Sequence, residues 1–104
     1  MIVEERIYTL KPDCIEKFLH LYESEGLEVQ LRHLPRLLGY FVTEIGTLHQ
    51  VVHLWGYQDF GERERCRKTL RADPGWQAYV PKVRPLFEKQ ENRIMLPTPW
   101  SPIR

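Results

Sequence analysis

Residues 36–57 (RLLGYFVTEIGTLHQVVHLWGY) constrain the fold more than any other stretch, because β-branched and aromatic residues fill both of its alternating faces. The Ile45-Gly46-Thr47-Leu48 junction reads as a short turn, so residues 36–46 and 48–57 are expected to form a β-hairpin. Strands that are apolar on both sides belong to a sheet covered on both sides. One layer of helices covers only one of them, and the other face calls for a second subunit.

The flanking segments supply the helices. Residues 2–10 (IVEERIYTL) alternate as a strand up to Lys11-Pro12. Pro12 suits a first helical turn, with Asp13 and Glu16 near the positive end of the helix dipole. Ile15, Phe18, Leu19, Tyr22, Gly26, Val29 and His33 then form one stripe of a long amphipathic helix, open to interruption at Gly26 and closing before Pro35. Asp59 and Glu62 have capping-box spacing for a helix running to about Ala72, and Asp73-Pro74 opens another. Trp76, Tyr79, Val80, Val83 and Phe87 share a stripe of that last helix. Pro81 and Pro85 lie opposite, where a kink or a split into two short helices is expected. A final strand covers about 88–96. The tail Pro97-Thr98-Pro99-Trp100-Ser101-Pro102 reads as extended, with Trp100 as its anchor on its own subunit or across a dimer. The order is β-α-β-β-α-β, which predicts a ferredoxin-like α+β domain over 1–96, an antiparallel sheet with helices on one face, and a Pro-rich tail over 97–104. The uncovered faces of two such sheets can close into a dimeric α+β barrel.

With 104 residues, a 42 % apolar fraction, 28 % charged residues and a net charge of +1, this is an ordinary globular composition. No global basic field points to nucleic acid, and Glu62 and Glu64 interleave with the basic residues at 63, 65, 67, 68 and 71. Cys14 and Cys66 form no CxxC pair, no apolar run approaches membrane-spanning length, and the N-terminus lacks a leader pattern. The expectation is a cytoplasmic domain without metal or cofactor. Neither a GxSxG elbow, a GxGxxG motif nor a P-loop is present.

Several segments together resemble the NIPSNAP family: ERIYTLKP at 5–12, LLGYFVTEIGTLHQVVHLWGY at 37–57, ERERCRKTLRADPGWQAY at 62–79 and LPTPWSP at 96–102. The resemblance spans nearly the whole chain and implies the dimeric α+β barrel superfamily. Some members of the family are linked to mitochondria and to vesicle or mitophagy traffic, without a reaction common to all. The short length points to the bacterial, single-domain type.

Candidate chemistry is sparse. His49 and His53 are expected on one face of a strand with Val51, Trp55 and Tyr57, where four residues span roughly 13 Å. Zinc needs each imidazole nitrogen at about 2.1 Å, so one ion cannot hold both. Each is either a general base or pocket wall, or a hydrogen-bonded packing residue. Arg63 falls in the middle of the thin apolar stripe of Phe60, Cys66 and Leu70, with Arg67 close by. It reads either as a cation in the helix–sheet cavity, gripping a carboxylate or a polarised oxygen, or as an ion pair with a sheet glutamate such as Glu5 or Glu44. Tyr8, Trp55, Trp76 and Tyr79 could line a pocket for a small apolar or carboxylate-bearing ligand, or simply pack the core. Two readings follow: a homodimeric binding domain, or a cofactor-free oxygenase or isomerase using His49 or His53 with Arg63.

Overall fold

The computed structural model describes residues 1–104. Four antiparallel strands, β1 (Ile2–Leu10), β2 (Leu37–Val42), β3 (Gln50–Tyr57) and β4 (Phe87–Met95), form one sheet in the order β2-β3-β1-β4. The helices are α1 (Ile15–Leu21), α2 (Leu27–His33), α3 (Phe60–Ala72) and α4 (Pro74–Val83). This is the ferredoxin-like order that the hydrophobic periods predict.

Strand period two decides what faces the helices. On β1 the inward set is Ile2, Glu4, Arg6, Tyr8 and Leu10; Trp55, His53 and Val51 of β3 pair with Glu4, Arg6 and Tyr8 and therefore share that face. Leu10, Phe18, Tyr22, Val51, Tyr79, Val83 and Leu86 form one apolar cluster, and Ile2, Leu34, Trp55, Tyr57 and Leu70 form another. Between these clusters runs a polar band of Glu4, Arg6 and His53. Two charges and an imidazole on a covered face must find partners there.

Several local expectations are corrected. Pro12 lies in a turn rather than in the first helical turn, because Asp13 adopts φ 65° and α1 starts only at Ile15. The hairpin strands are shorter than expected. Pairing ends where Thr43 N–H donates to the Gln50 carbonyl (3.1 Å), and Gly46 (φ 128°) and His49 (φ 61°) turn the chain through the left-handed region. A loop over 43–49 replaces the tight turn, and His49 is not on the strand. The interruption at Gly26 takes the form of a π-helical turn, Tyr22–Gly26, linking α1 to α2. A Cβ at Gly26 would lie 2.8 Å from Tyr79 Cζ, so glycine is what lets this turn press onto α4.

Asp59 caps α3 by accepting from Glu62 N–H (2.8 Å), while the Glu62 carboxylate accepts from Gln58 N–H (2.7 Å). Asp73 caps α4 through Gly75 N–H (2.7 Å) and also bonds His33 Nε2 (2.8 Å), joining α2 to α4. Instead of breaking at Pro81, α4 continues to Val83, and the chain tightens into a 3₁₀ turn, Arg84–Leu86, at Pro85. The tail is not fully extended: Ser101 N–H donates to the Thr98 carbonyl (3.1 Å), closing a turn around Pro99-Trp100. Trp100 stays 80 % exposed and does not anchor the tail on its own chain. Thr98, Ser101 and Ile103 of the tail line one recess with Val3, Leu54 and Met95 on the sheet's outer face. No helix is long and apolar enough to cross a membrane.

Candidate functional site

The polar band resolves into two arrangements. In the first, the fully buried Glu4 carboxylate accepts from Arg63 Nε (3.1 Å), Arg63 Nη2 (2.8 Å), Arg6 Nη1 (3.0 Å) and Asn92 Nδ2 (2.9 Å). Burial alone would push the Glu4 pKa up. Arg63, Asn92 and Arg6 outweigh it and bring it down to about 2. Arg63 is therefore committed to an ion pair with a sheet glutamate, as one reading of the sequence had it, but the partner is Glu4 and neither Glu5 nor Glu44. Glu5 faces the other side of the sheet and pairs with Arg93 (2.7 Å). The Nε–Nη2 edge of the Arg63 guanidinium is thereby taken up by Glu4.

The second arrangement surrounds His53, which is 1 % exposed. Its ring stacks on Tyr40 (centroids 4.4 Å, 12°) and meets Tyr8 edge-on (4.7 Å, 76°). Trp55 Nε1 lies 2.7 Å from His53 Nδ1. An indole N–H can only donate, so Nδ1 is the acceptor and the neutral ring carries its proton on Nε2. That Nε2 is buried without a hydrogen-bond partner in the chain. Burial, helped by the Arg6 cation, lowers the His53 pKa to about 3, against the weaker pull of Glu4. At neutral pH His53 is uncharged and presents its Nε2–H to the cavity.

His53 lines a cavity of about 60 Å³ between the helices and the sheet, together with Tyr8, Tyr22, Tyr40, Trp76 and Tyr79. The Tyr22 hydroxyl donates to Gln30 Oε1, also on the wall. Burial raises the pKa values of Tyr22, Tyr40 and Tyr79, so these phenols stay protonated. Of the sequence candidates, Tyr8, His53, Trp76 and Tyr79 are brought together here. Trp55 is not on the wall and acts through His53 Nδ1. His49 stands apart, in an open recess with Asp13, Ile15 and Glu16. Arg67 lines an adjoining groove with Tyr8 and Trp76.

Sequence reasoning missed Tyr22, Gln30 and Tyr40. Tyr22 stood on the helical stripe as a packing residue. Gln30 reaches the wall through the π-helical turn, which a straight helix wheel does not contain. The inward alternation of β2, once paired with His53, would have found Tyr40. No cluster of three or more His, Cys, Asp or Glu is set to hold a metal.

This geometry defines a ferredoxin-like α+β domain with a small aromatic cavity between its helix layer and its sheet. Residues 3–102 match the NIPSNAP family model, and the chain belongs to the NIPSNAP family. A solved NIPSNAP family protein from Agrobacterium tumefaciens is 47 % identical, covers 99 % of this chain and 98 % of its own, and superposes with a TM-score of 0.97. Human NipSnap homolog 2 is 39 % identical over 103 residues, which are 99 % of this chain and 35 % of that protein. The chain spans only 19–40 % of the length of the curated relatives it matches. An antibiotic biosynthesis monooxygenase structure shares the fold at 18 % identity, with a TM-score of 0.66 over 95 % of this chain and all of that one.

Proposed function

We propose that the domain works as a homodimer in which each protomer binds a small molecule, whose acceptor-bearing end enters the aromatic cavity and takes the hydrogen bond of His53 Nε2. The observation that carries this reading is that N–H group: buried, without a partner in the chain, on the wall of a cavity. An unsatisfied buried donor costs roughly 1–3 kcal/mol, which a carbonyl or ether oxygen would recover on binding. A benzene-sized cavity measures about 150 Å³. At about 60 Å³ this one suits the compact end of a ligand and not a whole ring.

Dimerisation is supported by the sheet face opposite the helices. Ile7, Val52, Leu54 and Phe41 lie there, with Phe41 56 % exposed, and only the tail crosses it. A two-layer domain that leaves such a face open gains by pairing with a twin. The free thiols Cys14 and Cys66 fit a reducing cytoplasm.

The enzymatic alternative, a cofactor-free oxygenase or isomerase, is supported by a shared fold, which is a weak warrant for chemistry. In it His53 would donate to an oxygen gaining charge. Against it, burial keeps the Tyr22, Tyr40 and Tyr79 phenols protonated and the histidine presents an N–H to the cavity.

Sedimentation and fragment titration test the proposal. The chain is expected to sediment as a dimer at micromolar concentration, and Val52→Lys, which sets a charge on the open face, to shift it to monomer. Small ketones and ethers are expected to move the NMR signals of the Trp55 indole and His53 ring, and to leave the Trp55 indole unmoved in His53→Phe. A monomeric wild type overturns the pairing. Equal binding by His53→Phe overturns the assignment of the donor.

A further inference from the structure

The aromatic cavity does not end in solvent of neutral character. It adjoins a larger groove, of about 490 Å³, across the shared side chains of Tyr8, Trp76 and Val80. Four arginines line this groove: Arg6 from β1, Arg67 and Arg71 from α3, and Arg84 from the turn after α4. Gln77 adds an amide, and no carboxylate is on the wall.

Of these four cations only Arg6 has an anionic partner, in Glu4; Arg67, Arg71 and Arg84 make no ion pair. The arrangement follows from helical spacing. Arg63, Arg67 and Arg71 stand four residues apart on one side of α3, so fixing Arg63 on Glu4 aligns the next two cations along that side of the helix, where they line the groove. Arg67 is half-buried, and its pKa is lowered by that burial and by the Arg6 cation beside it. Like charges held together in a concave, partly desolvated space leave a local excess that one anion relieves. Guanidinium forks match the paired oxygens of a carboxylate or phosphate.

From this we infer that the arginine groove binds the carboxylate or phosphate group of the small molecule whose neutral, acceptor-bearing end occupies the aromatic cavity. For the neutral end this rests on the reading above; the anion site stands on the arginines alone. The volumes agree: a cavity of about 60 Å³ holds a few atoms, and the groove holds the rest. The ligand class is a short organic acid or phosphate monoester with a carbonyl or ether oxygen a few bonds from its charge.

The probes are 4-oxopentanoate, which joins a methyl ketone to a carboxylate, its neutral methyl ester, and inorganic phosphate. Each is titrated by NMR into the full chain at constant ionic strength, since surface electrostatics are salt-dependent. The acid is expected to bind at least about ten-fold more tightly than the ester, and phosphate to compete with it. In the double variant Arg67→Gln/Arg71→Gln, which leaves Arg6 paired with Glu4 and Arg84 alone on the wall, most of the acid's advantage over the ester is expected to be lost, with the circular-dichroism spectrum of the folded chain retained. Equal affinity of acid and ester in the wild type overturns the inference, as does an advantage of the acid that persists undiminished in the double variant. Arginine-dependent binding of the acid and of phosphate, with no movement of the His53 signals, keeps the anion site and overturns the cavity reading instead. Failure of phosphate to compete with the acid overturns the phosphate half of the ligand class and leaves the groove to carboxylates.

Discussion

Replacing His53 with Phe tests the electrostatics of the site through the pH dependence of folding. The unfolded chain protonates a histidine near pH 6.5, whereas the buried His53 resists protonation down to about 3. Below pH 6.5 the unfolded state therefore takes up a proton that the folded state refuses. The stability associated with His53 is fully present above pH 6.5 and drains away as pH falls toward 3, by up to about 1.4 kcal/mol per pH unit. Over the whole window this amounts to about 5 kcal/mol, comparable to the entire stability of many domains. The buried Glu4 acts on the same side but later. Its folded pKa of about 2 lies below the unfolded 4.5, so its contribution is lost only as pH falls from 4.5 toward 2. The interval from pH 7 to 4.5 thus isolates His53 from Glu4, with an expected loss of about 2–3 kcal/mol, or roughly 10–20 °C in melting temperature. Urea unfolding followed by circular dichroism at pH 7, 6, 5 and 4.5 measures the slope for the wild type and for His53→Phe. The variant, which has nothing to protonate at position 53, is expected to lose that share of the slope. A His53 imidazole that titrates in the folded protein above pH 5, or an equal slope in the variant, would refute the reasoning.

Two further substitutions probe the scaffold. Arg63→Gln leaves a fully buried carboxylate short of its bidentate partner; because Arg63 is itself about a quarter exposed, the expected cost is about 2–3 kcal/mol, read as a fall in thermal midpoint. A melting temperature within a degree or two of wild type would show that Arg6 and Asn92 suffice for Glu4. Gly26→Ala gains up to about 1 kcal/mol of helix propensity but forces a methyl against the Tyr79 ring, so a net loss of about 1–2 kcal/mol is expected in chemical denaturation. Stabilisation by this change would mean that the π-helical turn moves freely away from α4.

Local chemistry determined much of this protein before any tertiary contact was known. The strand and helix periods set the β-α-β-β-α-β order, and Asp59 and Asp73 announced their helices because a cap needs only its own next few residues. What the sequence could not settle were the choices made by residues far apart along the chain. Arg63 finds Glu4 across 59 positions, because strand register sends Glu4 under the helices and Glu5 to the opposite face. The same register puts Tyr40 beside His53, while a left-handed backbone at His49 removes that residue from the strand. Most decisively, the indole of Trp55 selects which nitrogen of His53 keeps its proton, and so whether the cavity meets a base or a donor. A hydrophobic period is a property of neighbouring residues; a hydrogen-bond partner and a cavity wall are properties of surfaces that only packing brings together.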